Sequence, residues 1–220
     1  MTSIAEQTNR LIATLPPHVT LVAAAKTRSA EEARAAIDAG IHIIGHNYVQ
    51  EAKAMIEQLG REAATWTFIG HLQRNKVKMA VGLFDNIQTV DSSRLAEAID
   101  KECRKIGRVM PILIEINAAR EPQKSGVLPE DAETLIRELA QLTSVQVQGL
   151  MTMGALANDP EELRPVFSAT KSLFDRITAS QIPNVSMEAL SMGMSASYAV
   201  AIEEGATMIR LGTTIFGPRA

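Results

Sequence analysis

The sequence predicts a closed barrel of eight parallel strands alternating with helices, a (β/α)8 or TIM barrel, and three of its features predict it. Eight short apolar runs alternate with helical segments along the chain, and such alternation implies parallel strands joined by helical crossovers. Runs such as Leu21-Val22-Ala23-Ala24-Ala25 show no polar residue at every second place, as expected of strands covered on both faces. No glycine-rich dinucleotide fingerprint follows the first strand, which weighs against the alternative, an open doubly wound sheet. At 220 residues the chain suits one such barrel, read as a single domain over residues 1–220.

The elements follow in order. Ser3 to Leu15 reads as an amphipathic helix stopped by Pro16-Pro17, and Val19 to Lys26 as the first strand. Ser29 is placed to cap the next helix, with Glu31 and Glu32 in its first turn and Gly40 at its end. Ile41 to Gly45 is the second strand, and Asn47-Tyr48 open a helix reaching Leu59. Trp66 to Gly70 and Asn86 to Val90 are strands three and four, separated by a helix over Gln73 to Val81. Asp91 or Ser92 caps the helix Arg94 to Ile106, and Val109 to Asn117 is the fifth strand. A charged loop, Ala118 to Val127, leads to a helix started by Pro129, at a place proline tolerates. Val145 to Met151, Val185 to Leu190 and Met208 to Leu211 complete the strands. Between them lie a long helix opened by Pro160 and running to Ala179, and another from Ser195 to Glu204, ended by Gly205. Only nine residues follow Leu211, so the helix Ser3 to Leu15 is expected to occupy the place of the last outer helix.

Bulk properties exclude several classes. The formal net charge is −3, which offers no electrostatic footprint for nucleic acid or an anionic membrane. No apolar run approaches the length of a membrane span, and Met1 to Arg10 does not read as a signal peptide. The single cysteine, Cys103, forms no internal disulfide and fits a reducing cytosol. A cytoplasmic protein is the expectation.

A barrel gathers its strand C-terminal ends, and with them its chemistry, on one face. Lys26 stands at such an end, where a desolvated amine can attack a carbonyl and form a Schiff base. The alternative is a lysine that snorkels to solvent. Loops after strands seven and eight are the habitual phosphate site of this barrel. Here they carry Ser191-Met192-Gly193-Met194-Ser195 and Gly212-Thr213. The plainer alternatives are that Ser195 merely caps a helix and Gly212 merely turns the chain. Arg210, inside the eighth strand, must face something polar: Glu115, as a structural salt bridge, or a bound ring. His46 and His71 lack a second ligand at metal spacing, so no metal site is expected. A phosphate site opposite a strand-end lysine matches pyridoxal 5′-phosphate (PLP), which needs an anchor for its phosphate and an amine for its aldehyde.

Seven segments extend the match. Ala25-Lys26-Thr27, Gly45-His46-Asn47-Tyr48-Val49-Gln50-Glu51, Phe68 to Lys76, Lys124-Ser125-Gly126, Gly149 to Met153, Leu190 to Ser195 and Arg210 to Gly217 together resemble the YggS/PROSC family of PLP-homeostasis proteins. The resemblance runs in order over nearly the whole chain. The family's barrel is similar to the N-terminal domain of alanine racemase. The resemblance implies a covalent PLP on Lys26 and a phosphate held by Ser195, Gly212 and Thr213, with backbone help around Met192, Gly193 and Met194. It also implies Arg210 at the pyridine nitrogen and Asn47 beside the ring. It further implies a cofactor-handling role in amino- and keto-acid homeostasis without established turnover, with apo PLP enzymes as possible recipients. One position departs: the family usually has glutamate where this chain has His46. Gly45 and Asn47-Tyr48 are kept, so the pocket is expected to survive.

Three functions compete on these residues. A PLP-binding regulator or carrier ranks first, a PLP enzyme such as an amino-acid racemase second, and a cofactor-free Schiff-base aldolase last. An aldolase has no use for Arg210 at a ring nitrogen. A racemase needs a second acid/base on the opposite ring face, which alanine racemase takes from a partner subunit. With no second domain in view, a monomer is expected, with no catalytic residue.

Overall fold

Eight strands close in sequence order into one parallel barrel: β1 (Thr20–Ala24), β2 (Ile43–His46), β3 (Thr65–Phe68), β4 (Asn86–Val90), β5 (Met110–Ile116), β6 (Val145–Thr152), β7 (Val185–Ser191) and β8 (Met208–Leu211). β8 pairs back on β1, with Val22 opposite Arg210. The structure, a computed structural model, describes residues 2–154 and 159–218. The helices are α1 (Ile4–Thr14), α2 (Ala30–Asp38), α3 (Val49–Leu59), α4 (Val77–Leu83), α5 (Ser93–Lys105), α6 (Ala132–Leu139), α7 (Arg164–Ala179), α8 (Tyr198–Glu203) and α9 (Thr213–Phe216). α1 packs against both α2 and α9, and so takes the outer position that β8 lacks a long helix to fill.

Side chains alternate between the two faces of each strand, and this separates two environments. Gly45 faces inward: a Cβ there would lie 2.8 Å from Val22 Cγ1 and 2.9 Å from Ile69 Cδ1. Its neighbours Ile44 and His46 therefore face the helices. On the same outer face Trp66 and Phe68 are fully buried, and Phe68 meets Phe84 with ring centroids 5.1 Å apart. This shell between strands and helices is the hydrophobic core. Small residues let the helices approach it: Ala33, Ala36 and Ala52 have no exposure. Ser29 caps α2 as expected, its hydroxyl accepting from Glu32 N–H while the Glu32 carboxylate accepts from Ser29 N–H.

Several local expectations are corrected. Ser195 caps no helix: α8 starts at Tyr198 with Ser197 as its cap residue. Pro129 lies in a turn ahead of α6, which starts only at Ala132. The segments opened by Gln73 and Pro160 begin as 3-10 turns, Arg74–Lys76 and Pro160–Leu163, before α4 and α7. A helix does follow β8, but it is the single turn α9. Each difference falls at an element end, where tight i→i+3 turns compete with the α-helix.

Candidate cofactor site

The C-terminal ends of β1, β2, β7 and β8 surround a cavity of about 370 Å³. Lys26, Asn47, Met194, Ser195, Arg210, Gly212 and Thr213 line it. Seven of the nine residues picked from the sequence thus meet in one place. The other two do not reach it. Met192 is buried in the core with its N–H bonded to the Met208 carbonyl. Gly193 supports the site from behind. Its φ is +92°, and a Cβ there would meet Ala201 Cβ at 2.6 Å, so glycine alone lets this turn lie flush on α8. The Met194 N–H is likewise spent, on Ser197 Oγ at 3.2 Å.

Lys26 stands two residues past β1, half-buried, with Nζ 5.2 Å from the centre of the Tyr48 ring. The chain turns sharply behind it at Thr27, whose φ is +64°. Asn47 follows β2 and reaches the cavity because Gly70 has no side chain: a Cβ on Gly70 would sit 2.2 Å from the Asn47 carbonyl oxygen. In the same cavity as Lys26, Ser195 Oγ accepts from the N–H groups of Gly212 (3.2 Å) and Thr214 (3.3 Å). One hydroxyl and two backbone N–H groups therefore converge beside Thr213; Ser195 engages both N–H groups, which become donors to a phosphate once its hydroxyl turns to the ligand.

Arg210 closes the floor. It is 4% exposed, and its Nη1 and Nη2 donate to Ser191 Oγ (2.7 Å) and the Thr152 carbonyl (2.9 Å). The structural salt bridge with Glu115 is not formed; neutral oxygens hold the guanidinium instead. Burial lowers the Arg210 pKa to about 10, with Glu115 acting in the opposite sense, so the group is a cation at neutral pH. Glu115 is buried too, with Oε2 unpartnered. Burial first, then the charge of Asp91, push its carboxyl up to about 7 against the pull of Arg210.

Glu115 lines a second chamber of about 200 Å³, which shares Asn47, Ile69 and Met153 with the first. Its rim carries Lys124 and Ser125, and Ser125 Oγ lies 3.1 Å from His71 Nδ1. Asn117, also at a strand end, is used structurally: its amide donates to and accepts from the Glu121 backbone, strapping down the loop over the chamber. His46, in contrast, faces away. It stacks on Trp66 at 6.0 Å between centroids, and both ring nitrogens lack partners. Burial lowers its pKa to about 4. The departure from the family's glutamate therefore leaves the pocket wall untouched. Thr152 and Ser191 stand at strand ends in the sequence, but their role as the holders of Arg210 is not legible there. The signal for the polar layer they belong to is Gln88, a long amide side chain inside the strand Asn86 to Val90.

The chain matches the family described as "Alanine racemase, N-terminal domain" over residues 1–220. It is 40% identical over 199 residues to the pyridoxal phosphate homeostasis protein of Aquifex aeolicus, covering 90% of this chain and 86% of that one. The protein of that name from Synechocystis is 37% identical over 212 residues, covering 96% of each. PipY of Synechococcus elongatus, solved with PLP bound, superposes with a TM-score of 0.90 at 36% identity, covering 98% of this chain and all of PipY. Alanine racemase of Clostridium difficile shares the fold at 16% identity and TM-score 0.85, over 99% of this chain and 57% of that enzyme. With the amine, the loops of Ser195 and Gly212-Thr213 and the buried arginine gathered at one barrel mouth, the chain belongs to the pyridoxal phosphate homeostasis protein family, within the wider family of alanine racemase N-terminal domains.

Proposed function

We propose that this protein binds PLP covalently through Lys26 and acts as a carrier or regulator in PLP and amino/keto-acid homeostasis, without catalytic turnover. The observation that carries the reading is that Lys26, Ser195, Gly212 and Thr213 line one cavity, with Ser195 Oγ holding the N–H groups of Gly212 and Thr214. The residues present fit the cofactor. Ser195, Gly212 and Thr213 would hold the phosphate, with Met194 beside them, and Asn47 would flank the ring. Arg210 has five N–H donors and protein oxygens engage two of its nitrogens, so a ring nitrogen can take another donor. When bound, PLP supplies an aldehyde and an electron-accepting ring.

Arg210 also argues for the absence of turnover. A strong electron sink needs a protonated ring nitrogen, usually through an acidic partner. A guanidinium cation only donates, so Arg210 cannot accept a hydrogen bond from a protonated ring nitrogen and favours the unprotonated ring. Exchange of the cofactor with other amines needs no such activation, which suits a carrier delivering to apo PLP enzymes. The second reading, a PLP-dependent racemase, is favoured only by the second chamber and its Lys124 and Glu115. A closed barrel leaves no strand edge to pair, which supports a monomer of one domain, and a cytoplasmic location goes with the carrier role. Among the described residues, no helix is long and apolar enough to cross a membrane.

Borohydride reduction of the PLP-loaded protein, followed by peptide mapping, tests the assignment. The label should sit on Lys26 and vanish in Lys26→Ala. A label unchanged in amount on another lysine would remove Lys26 from the site. Sustained turnover of any amino acid by the native chain would favour the racemase.

A further inference from the structure

Arg210 brings a positive charge into the barrel, yet among the described residues no carboxylate forms an ion pair with it; its two bonds go to neutral oxygens. An unpaired buried cation is costly, and its orientation rests on what holds those oxygens. The Thr152 oxygen is backbone in β6 and cannot turn. The Ser191 hydroxyl can. It is fixed by donating to Gln88 Oε1 at 2.7 Å. Gln88 Nε2 in turn donates to Thr67 Oγ1 at 3.2 Å, and Thr67 Oγ1 to Asn86 Oδ1. Nε2 also lies 3.2 Å from Met208 Sδ, a contact suited to an amide N–H and not to an amide oxygen. The sense of the chain is thereby set: every donor from Arg210 to Asn86 points the same way. Each acceptor turns its lone pair back toward the guanidinium. Thr67, Gln88 and Ser191 have no solvent exposure, so water cannot replace a missing link without a cavity forming.

We propose that Gln88 is a positioning residue for Arg210: acting through the Ser191 hydroxyl, it aims the guanidinium at the cavity and so sets the hydrogen bond offered to the cofactor ring. This rests on the reading of the cavity as a PLP site. Gln88 does not line the cavity. It acts one residue removed, across the barrel from β4 to β7 and β8. The hydroxyl of Ser191 has one hydrogen. Given to Gln88, it leaves only lone pairs to face Arg210. Without Gln88 the hydroxyl is free to rotate, and the guanidinium loses its fixed acceptor.

The experiment compares the native chain with Gln88→Leu, Ser191→Ala, their double variant and Gln88→Glu. Three quantities are read on each. One is the Arg210 Nε–H resonance in the cofactor-free protein. The second is PLP affinity with the visible absorption maximum of the loaded protein, and the third is the melting temperature. Gln88→Leu should shift or broaden the Arg210 resonance, weaken PLP by about tenfold, as loss of an ordered bond to a charged group implies, and move the absorption maximum. Ser191→Ala should do the same. The double variant should be no worse than Ser191→Ala, because residues acting in series do not add. Gln88→Glu keeps an acceptor for Ser191 but loses the N–H toward Thr67 and Met208, so it should recover the resonance and the affinity in part relative to Gln88→Leu. If Gln88→Leu lowers only the melting temperature, or if the two losses add, Gln88 is structural filling and the proposal falls. Should Gln88→Leu not fold, Gln88→Met keeps the side-chain length and carries the same comparison. If the native chain fails to bind PLP, the cofactor reading falls; the Arg210 resonance of the cofactor-free variants still decides the relay by itself.

Discussion

The inside of the barrel mouth and the shell outside its strands are built from opposite materials. Inside, Thr67, Gln88, Ser191, Arg210 and Glu115 form a polar layer, buried but largely hydrogen-bonded. Outside, one or two residues away along the same strands, Ile44, Trp66, Phe68 and Ile87 are fully buried among apolar neighbours. Each region holds an ionisable group that breaks its local rule. Glu115 leaves an oxygen unpartnered inside, and His46 leaves two nitrogens unpartnered outside. The contrast teaches that stability resides in the shell and ligand chemistry in the lumen. The twofold alternation of each strand keeps them apart.

The largest effect that sharpens this contrast should come from the shell. Phe68→Ala removes a fully buried ring packed on Phe84 and should cost about 3–5 kcal/mol of stability. It should leave the absorption maximum of bound PLP where it is. Denaturant unfolding and a visible spectrum read both, and a moved maximum would break the division between the regions.

His46 comes next. Its pKa falls from 6.5 to about 4 on folding, so between those values the unfolded chain takes up a proton that the folded chain refuses. Its contribution is complete above pH 6.5 and is lost as pH falls toward 4. His46→Leu should flatten the stability profile in that window, by a total on the order of 3 kcal/mol, with unaltered PLP affinity. Persistence of the full acid slope in the variant would show that another group causes it.

Glu115 should act with the opposite dependence and on a similar scale. Its pKa rises from 4.5 to about 7 on folding, so the unfolded chain releases a proton that the folded chain keeps. The Glu115 contribution is therefore full below pH 4.5 and is lost as pH rises to 7. Glu115→Gln should gain on the order of 3 kcal/mol over the native chain at pH 8, and nothing at low pH. Equal gains at both ends would count against titration.

Thr213→Val is the smallest. Losing one hydroxyl contact to the phosphate should weaken PLP by about tenfold and leave pyridoxal, which has no phosphate, unaffected. Equal losses for both would move Thr213 out of the phosphate site.

Much of the site was legible because its residues are unusual for their settings. A lysine ending an all-apolar strand and an arginine inside one admit few explanations, and the structure brings both to one cavity. Met192 and Gly193 share a loop with Met194 and Ser195 but do not line the cavity; a loop's sequence does not show which backbone groups are already bonded. In this loop, Met192 N–H goes to Met208 and Met194 N–H to Ser197. The short helix Thr213–Phe216 escaped reading because a single turn leaves no periodic signal.

The sequence by itself determined the barrel, since eight apolar runs separated by helical stretches leave few other closed arrangements, and it determined the amine and the two loops that oppose it. Only the tertiary structure decided which way each strand residue faces. His46 stands beside Asn47 in the chain, yet His46 turns to the shell and Asn47 to the cavity. Arg210 and Glu115 share the lumen without forming a salt bridge. The partners that Arg210 takes instead come from β6 and β7, and behind them stands Gln88 of β4. These residues lie far apart in sequence, and only closure of the barrel fixes the distances between them.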